Sequence, residues 1–260
     1  MNQSFTLNVY SAIKSSTLTL ASNIPNYYVE FEGLDSPTAE ILSSTLYNIP
    51  GSVYNGAHTA MRNIVLTVYL FTNVPYYRLQ LHEYFRVGTT VKLTYEKTGI
   101  TTYGTVHREI KGVVEYVQAP QFNAPERARE VVQISLLCPD PYLEGAQVSG
   151  TTGTVQYSGD VECGFQMTIP HLNSLTITAA HGLETDTLTI QNASYTSLLV
   201  DTQARTIKKV VSGTTSNAID LWTHGSVWPR LKPGTNTVTV KSGTSSISQS
   251  LTYTPLYQGV

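Results

Sequence analysis

Charge is scarce in this chain. Only 13% of its 260 residues are Asp, Glu, Lys or Arg, about half the usual share. The net charge is −2, and 10 of the 16 basic and 10 of the 18 acidic residues precede residue 139, so neither half is a basic module. That balance argues against stable binding to nucleic acid or an anionic membrane through bulk electrostatics. Cysteine is nearly absent. Cys138 and Cys163 are the only two, which gives no disulfide framework, no Cys-x-x-Cys and no zinc spacing; buried free thiols are expected. No apolar run approaches the roughly 20 residues of a membrane span, so membrane insertion is not expected. The opening Met1–Leu7 lacks the basic and apolar regions of a secretory signal, so synthesis in a cytoplasm is expected.

Reactive constellations are missing too. The six histidines are scattered, with no two at ligand spacing on one expected element. His82-Glu83 is not followed by the second His of a zinc-protease helix. There is no Gly-x-Ser-x-Gly and no phosphate-cradling Gly loop. Asp35 with Glu40, and Glu184 with Asp186, are carboxylate pairs that any chain of this length contains. No catalytic, cofactor-binding or metal-binding residue is therefore expected, and the chain reads as a non-enzyme.

Thr, Ser and Tyr stand where charge is missing, and they favour strands. Phe5, Leu7 and Val9 alternate with polar residues, as a strand with one wet face does. Ile64, Leu66, Val68 and Leu70 share one face of the strongest strand in the first half. The period then changes: Tyr77, Leu81, Tyr84 and Phe85 fall on one helical face. Asn73 is placed to cap, Pro75 suits the first turn and Gly88 the end, so a short helix is expected over 74–87. A turn is expected at Lys97–Gly99, and the Asn55-Gly56 dipeptide suits a tight hairpin. The long connection from Gln118 to Arg129 is either an arm that touches a neighbour or a plain surface loop. Pro139-Asp-Pro-Tyr142 breaks the strand pattern, because neither proline fits a central strand. The expected domains are 1–138 and 139–260. The fold class is mainly β: an N-terminal sandwich or barrel-like sheet with one helix, then a jelly-roll sandwich. Its last strand is expected to run through Ile247, Leu251 and Tyr253, with a tail from Pro255.

The stretch from Leu198 to Val240 organises the second half. Its skeleton is Asp201-x-x-x-Arg205, Ile219-Asp220-Leu221, and Trp228-Pro229-x-Leu231-x-Pro233-Gly234-x-Asn236. It reads as strand, turn, strand, long turn, strand, a packing motif with no nucleophile beside a base. With Asp140-Pro141-Tyr142 upstream, it resembles the phage distal tail proteins. The match covers the whole chain in outline and these two stretches closely. The resemblance implies a galectin-like second domain and a homo-hexameric ring that joins the tail tube protein to the tail-associated tip protein. A receptor-binding protein would be a further partner. The ring would sit at the virion's tail tip and scaffold the host-adsorption apparatus, with DNA passing through its lumen unbound. It also places a protruding, partner-contacting segment near Gly33–Gly56. The chain is too short for the inserted sugar-binding domain of some longer relatives.

Twelve of the 17 tyrosines precede residue 139. Tyrosine gives large contact area at low entropic cost and suits interfaces. In Tyr27-Tyr28 and Tyr76-Tyr77, neighbours on a strand would face opposite sides, so one of each pair is left to a partner or to solvent. The candidate interface residues are Tyr28, Tyr54, Tyr76, Phe122, Arg127 and Arg129. The alternative function is a carbohydrate-binding module for cell-wall glycans, with Trp222 and Trp228 as a sugar platform. A galectin site needs His, Asn and Arg around its Trp. His171-Leu-Asn173 is the nearest fragment, no Arg completes it, and Pro229 stands where an acidic residue belongs.

Overall fold

In Arg62–Leu70 every second side chain from Ile64 onward is withdrawn from water, as the alternation requires. This strand pairs along its whole length with Glu130–Cys138, whose Val132, Ile134 and Leu136 are equally buried. Around this pair the computed structural model, which describes residues 5–21, 26–45, 47, 50–100, 104–118, 130–172 and 174–260, builds a mainly β protein. It divides into two units: Met1–Leu143 with Gln258–Val260, and Glu144–Tyr257.

The first unit contains β1 (Phe5–Ser11), β2 (Ser16–Ala21), β3 (Tyr27–Glu32), β4 (Ala39–Thr45), β5 (Ser52–Thr59) and β6 (Arg62–Leu70). Helix α1 (Val74–Tyr84) follows, then β7 (Thr90–Ile100), β8 (Gly104–Gln118) and β9 (Glu130–Cys138), with β10 (Leu143–Glu144) at the exit. The main sheet runs β2-β1-β7-β8-β9-β6-β3, each pair antiparallel. Its ends meet: the Tyr27 hydroxyl on β3 donates to the Thr19 carbonyl on β2 at 2.6 Å. The sheet thus wraps around one core, in the barrel-like manner expected of it. Tyr77 and Leu81 of α1 meet Leu18, Leu20, Val68 and Leu70 at the core's edge.

Three local expectations are corrected. Asn73 precedes α1 but adopts a left-handed conformation (φ 45°) with no side-chain cap; its carbonyl accepts from Tyr76 and Tyr77 instead. The helix stops at Tyr84, and Gly88 (φ 79°) serves the entry to β7, its amide donating to the Val114 carbonyl. No turn forms at Lys97–Gly99, because β7 keeps pairing with β8, through an irregularity, until Ile100 meets Gly104.

Arg62 is buried, at 4% exposure, and its hydrogen bonds run to peptide carbonyls. Its guanidinium donates to the carbonyls of Pro141 (2.7 Å), Gly33 (3.1 Å), Asp35 (2.8 Å) and Gln258 (2.5 Å). Four peptide oxygens from three separated segments are thereby satisfied at one point. The Pro139–Tyr142 break and the last three residues both lie with the first unit. Gly33 belongs to the same knot: with φ 87° it sits where a Cβ would come within 2.1 Å of the Asn63 carbonyl, so only glycine fits.

The second unit is a sandwich of two antiparallel sheets. It contains β11 (Val148–Thr151), β12 (Gly153–Tyr157), β13 (Gln166–Pro170), β14 (Leu175–His181), β15 (Glu184–Ile190) and β16 (Ser197–Asp201). Then come β17 (Thr206–Val211), β18 (Thr214–Asn217), β19 (Gly234–Ser242), β20 (Ser245–Ile247), β21 (Ser250–Tyr253) and β22 (Leu256–Tyr257). One sheet runs β11-β21-β13-β16-β17-β18, the other β12-β19-β14-β15 with β20 beside β19. Met167, Ile169, Leu198 and Val200 of the first, and Leu175, Ile177, Val238 and Val240 of the second, are buried. The last strand expected over Ile247–Tyr253 is instead split, β20 joining one sheet and β21 the other.

The organising stretch is an assembly of turns. Asp201 Oδ1 accepts from the Ala204 amide at 2.8 Å, and Arg205 turns left-handed with φ 55°. The buried Thr202 hydroxyl bonds both the amide and the carbonyl of Phe165. Asn236, 1% exposed, accepts from the Lys232 amide and donates to the carbonyls of Lys232 and Gly234. These residues close the fold, as the packing reading requires.

Candidate interaction surface

Among the described residues no layer covers either face of hairpin β4–β5. All of β4 is exposed, and so is most of β5. Asn55-Gly56 does not make its turn. The dipeptide lies inside β5, where the register shifts between Leu42 and Ser43 and leaves Asn55 unpaired. The physical reason is shared chemistry: a bulge needs the same permissive backbone as a tight turn, and Gly56 supplies it at φ 136°. The register assigns the side chains to faces. Ile41 opposes Ala57 and Ser43 opposes Tyr54, so Ile41, Ala57 and Tyr54 share one face. Leu42 and Val53 lie on the other, with the Glu40–His58 pair at 2.8 Å. Ile41 is 68% exposed and Tyr54 66%, and Tyr47, between the strands, is almost fully exposed.

Helix α1 carries a second apolar surface. Leu81 faces the core, while Tyr76 and Leu79 point outward at 55% and 62% exposure. A surface helix ordinarily presents polar residues on that side. Tyr76 also meets Tyr77 edge to face at 5.2 Å, which holds its ring on the helix surface. Tyr28 is a third element. It points out of β3 while Tyr27 points in, and its ring lies 6.0 Å from that of Tyr69. The Tyr69 hydroxyl donates to Glu30 at 3.0 Å, and that hydrogen bond raises its pKa.

Of the interface candidates, Tyr28, Tyr54 and Tyr76 are exposed, on three different elements. Phe122, Arg127 and Arg129, with the whole 119–129 arm, lie outside the described residues. Sequence reasoning missed Ile41, Leu42, Val53 and Leu79. Lone aliphatics read as core; the only available signal was that Ile41-Leu42 sits in a stretch without alternation.

Trp222 stacks on His224 at 6.2 Å and 20°, and among the described residues it makes no ring contact with Trp228. His171 stacks on Tyr195 at 4.8 Å, and Asn173 lies outside the described residues. The open groove on the second unit, 340 Å³, is lined by Gln166, Asp201, Lys208 and Thr252 with no aromatic for a sugar to stack on. Among the described residues no group of His, Cys, Asp and Glu could hold a metal ion, and no helix is long and apolar enough to cross a membrane. Both cysteines are buried and free, and burial pushes each thiol up to about 11. Neither is a nucleophile at neutral pH.

No protein-family model and no curated protein sequence matches the chain. Its fold matches that of the SPP1 Dit protein, described as a paradigm of the hub adsorption apparatus in phages that infect Gram-positive bacteria. The match has a TM-score of 0.68 at 16% identity and covers 96% of this chain and 98% of that one. A chain of the phage P2 baseplate in its activated conformation with calcium aligns over 100% of both chains, at TM-score 0.49 and 9% identity.

Proposed function

We propose that this chain is a structural virion protein of the distal tail type, a ring that joins a phage tail tube to the tail tip. The observation that carries the reading is the fold likeness to the SPP1 Dit protein over nearly the full length of both chains. The likeness takes in the whole succession of a helix-bearing β unit and a β sandwich. The exposed hairpin and helix of the first unit support it, because ring closure needs adhesive surface. In this reading six copies close the ring through their first units. The tail tube protein, the tail-associated tip protein and a receptor-binding protein are its neighbours. The protein is made in the cytoplasm of the host bacterium and resides at the virion's tail tip. It has no enzymatic role and scaffolds host adsorption. Equal numbers of basic and acidic residues before residue 139 suit a conduit through which DNA passes without being gripped.

Native mass spectrometry over a concentration series, with negative-stain images of the same sample, tests the reading. Six-fold mass and rings with a central hole are expected. A monomer at every concentration, with and without a tail tube protein, would overturn it.

A further inference from the structure

The first unit carries two unlike apolar surfaces, and the geometry points to their mating between copies. We propose that the Ile41–Tyr54–Ala57 face of hairpin β4–β5 in one copy seats on the outward face of α1, at Tyr76 and Leu79, in the next. The inference rests on the ring reading and names the pair of surfaces that would close the ring.

The argument starts from what each surface lacks. A two-stranded hairpin is marginal on its own, and this one is exposed on both sides. Helix α1 is apolar inward at Leu81 and outward at Tyr76 and Leu79. Each surface therefore calls for a cover that its own unit does not provide.

The occupant follows from symmetry. A two-fold dimer uses one patch twice, whereas a head-to-tail ring needs two different patches on every copy, each fitted to the other. One foreign partner would account for one patch. A second copy of this chain accounts for both. The dimensions agree: the seven residues of β4 extend roughly 23 Å, and the eleven residues of α1 roughly 16 Å, so the hairpin spans the helix.

Electrostatics permit the contact to be dry. The hairpin's ionisable residues, Glu40 and His58, meet each other on the face away from Ile41 and Tyr54. Beside the helix patch, Arg78 is held by Glu130 and Glu83 by Lys14. These four helix-side charges are met within the copy, so docking would strand none of them unpaired.

The test uses full-length protein and surface positions. Ile41→Asp and Leu79→Asp are expected each to abolish rings while leaving the far-ultraviolet circular dichroism spectrum of the folded chain unchanged. In an Ile41→Cys/Leu79→Cys variant, a short bis-maleimide is expected to give a ladder of covalent oligomers ending at the ring. Cys138 and Cys163 are buried and do not compete. Rings that survive either aspartate, or rings that give no ladder, would overturn the pairing and leave the ring reading intact. A wild-type protein that never forms rings would remove that reading and the pairing with it.

Discussion

The two units treat their aromatic residues in opposite ways. In the first, Tyr10, Tyr28, Tyr47, Tyr54, Phe71 and Tyr76 are all exposed. In the second, the exposed large apolar residues are aliphatic only: Val148, Leu183, Leu199, Val211, Ile219 and Val227. Tyr157, Tyr195 and Tyr253 are buried there, and their hydroxyls donate to the carbonyls of Val161, Leu172 and Gln156. The second unit spends its aromatics on its own core. The first keeps a large share of them outside, where solvation is unfavourable unless another surface covers them. The difference concentrates exposed aromatic surface on the first unit.

The largest expected effect comes from Arg62, which tests whether the first unit holds together by one buried knot. Arg62→Met keeps much of the side-chain volume and deletes every donor to Gly33, Asp35, Pro141 and Gln258. Removing the buried guanidinium from these part-buried carbonyls costs about 3–5 kcal/mol. Hydrogen exchange is expected to accelerate around residues 33–36 and 258–260 and to stay unchanged in β13 and β16. Equal acceleration in both units would mean that the knot is not specific to the first.

Asn236→Ala is the counterpart in the second unit. It removes one acceptor and two donor interactions that fix the turn before β19. The expected loss is about 2 kcal/mol, since the Lys232 amide and two carbonyls lose a buried partner. Chemical denaturation should show a lower midpoint with an unchanged slope. An unshifted midpoint would mean that the turn is held by Pro233 and Gly234 alone.

Much of this architecture could be read from the chain, and the reason is periodicity. Ile64 to Leu70 and Tyr77 to Phe85 announce their elements because one face of each is buried. The hairpin β4–β5 announces nothing, because neither of its faces is buried and no alternation is selected. Asn55-Gly56 misleads, since a positive φ serves bulge and turn alike. Arg62 is illegible for another reason: its partners are peptide carbonyls, which every residue has, and only the fold decides which four converge. Tyr54 and Tyr76 could be nominated as surface residues from their chemistry, whereas Ile41 and Leu79 look like core until the elements are placed.

The smallest expected effect on stability is at Tyr54, and it sharpens the comparison most. If exposed aromatics of the first unit serve contact between molecules and not folding, Tyr54→Ser should leave the monomer's unfolding free energy within about 0.5 kcal/mol of the parent. A ring would make any such measurement concentration-dependent, because assembly stabilises the folded chain. Unfolding is therefore followed in the Leu79→Asp background, where assembly is expected to fail. There Tyr54→Ser should be silent. In the otherwise unaltered chain, the same substitution should lower the concentration-dependent part of the midpoint. A loss of 2 kcal/mol or more in the Leu79→Asp background would show that the Tyr54 ring supports its own hairpin, and the contrast between the units would then be one of folding and not of assembly.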